Sequence, residues 1–107
     1  MDAQERYEEL VDDLCARHDD VEPSQMMGMP CVKRGGKMVA GFSKRVDAMV
    51  FKLPDSAAHA RALALEGAHL FDPGGNGRPF KEWVAVPAAH AAEWESFAQD
   101  ALKPPAG

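Results

Sequence analysis

The sequence predicts an α+β domain: an antiparallel sheet of about five strands flanked by helices, in the order α-β-β-β-α-β-β-α. Three observations predict it. Both ends of the chain carry apolar residues at helical spacing, and the middle carries Met-, Val- and Phe-rich runs cut by Gly and Pro. The third is an Ala- and Leu-rich segment, from Ala57 to Leu65, set between those runs.

Tyr7, Leu10, Val11, Leu14 and Cys15 fall at i, i+3, i+4, i+7 and i+8, one apolar helical stripe. Asp2, Glu5, Glu8 and Glu9 crowd the first turns, where carboxylates complement the helix dipole. His18, Asp19–Asp20 and Pro23 end the pattern. A strand is expected over 26–34, with Met27, Met29 and Cys31 alternating with Gly28, Pro30 and Val32. Pro30 has no N–H to give a ladder, so this strand should lie at an edge or contain a bulge. Gly35–Gly36 is a two-residue hairpin turn, and Lys37–Phe42 returns with Met38, Ala40 and Phe42 on one face. After a short connection, Met49, Phe51 and Leu53 point one way and Ala48, Val50 and Lys52 the other.

Pro54 and Asp55 are start signals for the second helix, with Asp55 or Ser56 as its N-cap, and Gly67 stands where a left-handed terminating residue belongs. His69–Phe71 forms a short strand, Asp72–Pro79 is dense turn chemistry, and Phe80–Val86 is a strand. On that strand Phe80, Glu82, Val84 and Val86 share one face, and Trp83 and Ala85 the other. Pro87 opens a third helix whose stripe is Trp94, Phe97, Ala98, Ala101 and Leu102, followed by a frayed tail at 103–107.

The 107 residues suit one domain with one real core. The apolar runs fall far short of the roughly 20 residues a bilayer span needs. The acidic N-terminus lacks the apolar core of a secretory signal, so a cytoplasmic location is expected. Cys15 and Cys31 are then free thiols that pack as small apolar groups. The net charge of −5 is polarised: residues 1–22 carry nine acidic and two basic side chains, whereas 33–52 carry six basic and one acidic. Such a chain could pair its own halves, pair with a second copy, or present a basic surface.

Candidate sites follow from these patterns. If 26–34 and 37–42 form a hairpin, Lys33, Arg34, Lys37, Lys44 and Arg45 gather at its turn and at the next connection, where they could meet phosphates. The pI near 5.3 and the lack of interleaved aromatics favour a solvated hairpin tip. The Gly-rich loop offers Gly74, Gly75, Gly77 and Arg78 as an anion cradle. It leads into a strand instead of a helix, however, so a plain connector is favoured. His18 with Asp19 and Asp20 could ligate a metal, but a cation at a helix C-terminus is the simpler reading. No HxxxH or HExxH pair occurs, Ser24, Ser43, Ser56 and Ser96 lie in no nucleophile elbow, and Cys31 has no readable base. A triad assembled from distant residues is the one catalytic device a sequence does not display. No enzyme activity, no cofactor and no resident metal are expected. The concentration of Met26, Met27, Met29, Met38 and Met49 in the strands suits core filling or an adaptable contact surface.

Three stretches together, MMGMPCVKRGGKMVAGF (26–42), DAMVFKLP (47–54) and GAHLFDPGGNGRPFKEWVAVP (67–87), resemble the N-terminal domain family of TfoX, also called Sxy. The resemblance runs from about Tyr7 to Leu102. It implies the α+β fold of secretion chaperone-like domains, a stand-alone member without the family's C-terminal helical domain, and a regulatory role beside other transcription factors. It implies no catalytic residues. The leading expectation is a non-catalytic module that docks another protein or a second copy of itself. A nucleic-acid-binding accessory is the alternative, and a small-ligand or metal-binding domain the third.

Overall fold

The computed structural model describes residues 2–26, 28–72, 77 and 79–102. Nine elements and a 3-10 turn follow one another: α1 (Ala3–Arg17), β1 (Val21–Met26), β2 (Met29–Arg34), β3 (Lys37–Ser43), β4 (Ala48–Lys52), α2 (Ser56–Leu63), β5 (His69–Phe71), β6 (Phe80–Pro87), the 3-10 turn (Ala88–Glu93) and α3 (Trp94–Leu102). The strands make one antiparallel sheet in the order β1-β2-β3-β4-β6-β5. The class and the helices agree with the sequence reading, but the sheet has six strands.

The additional strand is β1, and its register with β2 runs from Val21 opposite Arg34 to Met26 opposite Met29. Only Val21 of its six residues is buried. A strand with so little to bury shows no alternation, and Pro23 reads as a helix stop. The edge position tolerates that proline. Consequently β2 is an interior strand. Pro30 is accommodated there because the β2–β3 register begins one residue later, at Cys31 opposite Gly41. A bulge lies between Val32 and Lys33, but its extra residue belongs to β3 and not to the Pro-containing strand for which one was expected.

That bulge changes a facing. Val32 pairs with Ala40 but Lys33 pairs with Met38, so Val39 is the extra residue of β3. Val39 packs against the main core, whereas the Met38 methyl lies over Gly41 on the other side of the sheet. Met38 therefore does not share a face with Ala40 and Phe42, against the expected alternation. The hairpin turn itself is as expected: Gly35 and Gly36 have φ of 58° and 82°, which glycine adopts without a Cβ penalty.

All three helices lie on one face. Tyr7, Val11 and Leu14 from α1, Ala58 and Ala62 from α2, and Trp94, Phe97, Ala98, Ala101 and Leu102 from α3 form one cluster with Val32, Ala40, Phe42, Met49, Phe51, Val84 and Val86 of the sheet. Phe42 sits between Tyr7 and Trp94, with ring centroids 5.6 and 6.3 Å away. The third helix begins later than expected. Residues 88–93 form a 3-10 turn broken at His90, and α-helix starts at Trp94, whose indole N–H donates to the Val86 carbonyl at 3.1 Å. Asp55 caps α2 as expected, accepting from the Ala58 N–H at 2.9 Å. Asp2, expected only as a first-turn carboxylate, is the N-cap of α1 and closes a capping box with Glu5. α2 ends at Leu63 with Ala64 as C-cap, before the expected terminator Gly67.

Candidate docking groove on the helix-free face

Strand alternation sends Ala48 and Val50 of β4 and Ala85 of β6 to the face without helices. Together with Phe71 they form a second, smaller cluster, roofed by half-buried Met29, Val46 and Trp83. No residue of α1, α2 or α3 belongs to it. At one end the cluster opens into a groove of about 310 Å³ lined by Met26, Lys37, Met38, Lys52, Phe71, Phe80 and Trp83. Phe80 is 44% exposed, and its ring meets Phe71 edge-on at 6.3 Å. Toward the other end lies a broader cleft of about 810 Å³, between Tyr7, Val11 and Asp12 of α1 and Pro30, Cys31, Lys44 and Arg45. Met26 and Phe71 contribute to the lining of both.

The structure divides the five basic residues that the sequence groups. Lys33, Arg34 and Lys37 stand at the Gly35–Gly36 turn, whereas Lys44 and Arg45 follow the far end of β3. Seven strand residues at about 3.3 Å each put the two sets roughly 20 Å apart. Both arginines are occupied within the chain. Arg34 donates from Nε to Asp20 Oδ2 at 2.8 Å and from Nη1 to the Leu102 carbonyl at 2.5 Å, tying the hairpin tip to the end of α3. Its guanidinium holds the Asp20 carboxyl below the usual carboxylate range. Arg45 donates to the Asp72 carbonyl at 2.6 Å. Lys37 lines a groove together with Lys52, a residue the hairpin reading did not include.

Of the Gly-rich loop, Gly74, Gly75 and Arg78 lie outside the described residues. Gly77 donates its N–H to Asp72 Oδ2 at 2.9 Å, so that donor already serves a carboxylate of this chain. The histidines serve the backbone. His59 Nε2 lies 2.7 Å from the Lys81 carbonyl and His90 Nε2 2.8 Å from that of Glu66, each as a donor, and the His69 ring faces the Gly67 carbonyl at 3.2 Å. His18 is the C-cap of α1, its N–H bonded to the Leu14 carbonyl at 3.0 Å. Among the described residues no group of three or more His, Cys, Asp or Glu could hold a metal ion.

Cys15 and Cys31 are free thiols. Cys31 is 1% exposed, and burial pushes its thiol pKa up, as it does that of Cys15 and of the Tyr7 hydroxyl. A thiol held protonated is a poor nucleophile, which agrees with the packing role read from the sequence. Among the described residues no helix is long and apolar enough to cross a membrane.

Sequence reasoning missed the groove as a unit because its residues come from five strands, β1, β3, β4, β5 and β6. Alternation does set Lys52 and Trp83 on the face opposite Phe51 and Val84, but it puts Phe80 with Val84. A register irregularity at Leu70–Phe71 instead pairs Phe80 with Phe71 and brings it to the groove beside Trp83. The register then places Lys52 directly across from Trp83. No protein-family model, no curated protein and no solved structure matches this chain.

Proposed function

We propose that this chain is a non-catalytic interaction module that docks another protein on the helix-free face of its sheet. The observation that carries this reading is the groove, where exposed Phe80 and half-buried Trp83, Met26 and Met38 converge beside Lys37 and Lys52. Apolar side chains gathered in a groove on a face without helices suit a partner contact better than chemistry. Methionines add adaptability, since their unbranched chains refit to different surfaces. The regulatory role implied by the TfoX-like stretches points the same way.

The test is a tagged pull-down from native lysate with nuclease present, comparing the wild type with the double variant Phe80→Ser/Trp83→Ser. Proteins retained by the wild type and lost from the variant are the expected result. Identical recoveries from both would remove the groove from consideration.

Nucleic-acid binding is the second reading, favoured by Lys37 and Lys52 beside two aromatic rings, a combination able to hold phosphates and stack bases. It predicts oligonucleotide binding that weakens steeply with salt and on Lys37→Glu/Lys52→Glu. Arg34 is unsuitable for that test, because its loss would act through Asp20 and Leu102.

A further inference from the structure

We infer that the occupant of the groove is an acidic amphipathic segment of a partner protein, a short helix or strand carrying carboxylates beside one or two large apolar anchors. The inference rests on the docking reading above and adds the chemistry of the partner.

Charge complementarity selects the acid. Three arginines are paired with carboxylates of this chain: Arg17 with Asp13 and Glu95, Arg34 with Asp20, and Arg61 with Asp100. Arg45 is spent on a carbonyl. Lys37 and Lys52, by contrast, have no ion-pair partner among the described residues, and both line the groove. A cation beside a desolvated apolar wall attracts a carboxylate more strongly than the same cation in open water, because the local dielectric is lower.

Shape selects a segment instead of a domain surface. A cavity of about 310 Å³ with one strongly exposed ring, Phe80, accepts a few side chains. A domain–domain interface of ordinary size would need on the order of 800 Å² of contact per partner. Met26, Met38, Phe80 and Trp83 give the apolar anchors of such a segment a yielding wall, as helix-in-groove and strand-addition complexes require.

Two other occupants fit less well. A second copy would have to offer its own acidic surface, the outer face of α1. Its exposed acids there are Glu5, Glu9 and Asp13, and the one large apolar side chain beside them, Leu10, is half-buried against its own core and not free to enter the groove. Nucleic acid meets a net charge of −5 and only two groove lysines, too few phosphate contacts for the counterion release that drives such binding.

Selection of random displayed peptides on the full-length chain tests this, with an unrelated protein as control. The winners are then titrated against the wild type, Lys37→Glu/Lys52→Glu, Phe80→Ser and, as a charge control on α1, Arg6→Glu, and competed with oligo-dT. The expected peptides mix Asp or Glu with Leu, Phe or Trp. Their affinity should fall about tenfold or more in the double lysine variant, which reverses two charge pairs, and in Phe80→Ser. It should stay unchanged in Arg6→Glu, since Arg6 lines neither the groove nor the neighbouring cleft. All these side chains are exposed or half-buried, and a melting curve for each variant confirms folding. Neutral or basic winners that still need Phe80 would overturn the acidic partner and leave the docking groove standing. Winners indifferent to both Phe80 and the lysines, or none above control, would overturn both. Displacement of the peptides by oligo-dT at lower concentration would replace the acidic segment with a nucleic acid.

Discussion

At Arg34 one guanidinium joins three elements: its own hairpin, Asp20 after α1, and the last carbonyl of α3. Replacing it with Ala should cost about 1–2 kcal/mol through the lost bond to the part-buried Leu102 carbonyl, read as a lower urea midpoint. The Asp20 share adds a pH signature. Its folded pKa is lowered, so its contribution is complete above the ordinary carboxylate pKa and disappears as pH falls through the folded value. The melting temperatures of wild type and Arg34→Ala should therefore converge somewhat on acidification below that range. A gap that widens instead would refute the pairing. The thiols give a second residue-scale expectation: a neutral-pH alkylating reagent should modify half-buried Cys15 before Cys31, which should react only on unfolding.

Among the elements, β3 depends most on a single small residue. A Cβ at Gly41 would sit 2.9 Å from the Met29 methyl, 3.1 Å from the Pro30 carbonyl oxygen and 3.2 Å from the Met38 methyl. The methyls can swing away, but the carbonyl belongs to the β2 backbone. Gly41→Ala should destabilise by about 1–3 kcal/mol, measured by urea denaturation, and the ejected Met38 should disturb the groove it lines. This arrangement was only half legible in the sequence. Ala40 and Phe42 alternate as expected, and so do Met49 with Phe51 and Val84 with Val86. One extra residue at Val39 breaks the period of two and sends Met38 to the opposite face, and no local pattern announces a bulge that exists only through pairing. β1 was hidden for a related reason: an edge strand burying Val21 alone carries no hydrophobic rhythm.

At the level of the whole molecule the sheet is lopsided: three helices cover one face, and a small cluster with an open groove occupies the other. Trp94 anchors the covered side, 1% exposed, in edge contact with Phe42 and bonded to the Val86 carbonyl. Trp94→Phe should cost about 1–3 kcal/mol by removing the indole hydrogen bond and part of a buried ring, and should leave groove binding intact wherever the protein remains folded. Equal loss of binding in Trp94→Phe and Phe80→Ser, measured on folded protein, would mean that the two faces are not independent.

Local periodicity and turn chemistry, present in the sequence itself, determined the fold class, the three helical segments, the Asp55 cap, the Gly35–Gly36 hairpin, and the inward faces of β4 and of β6 from Trp83 to Val86. Each depends on neighbours a few residues apart, where side-chain spacing and backbone preference act directly. Tertiary structure alone decided which basic residues remain available. Arg34 and Arg45 are bound to groups 14 to 68 residues away in the chain, and Lys37 and Lys52 line one groove because β3 and β4 are neighbours in the sheet. Charge along a chain is additive, but the availability of a charge depends on what the fold brings beside it.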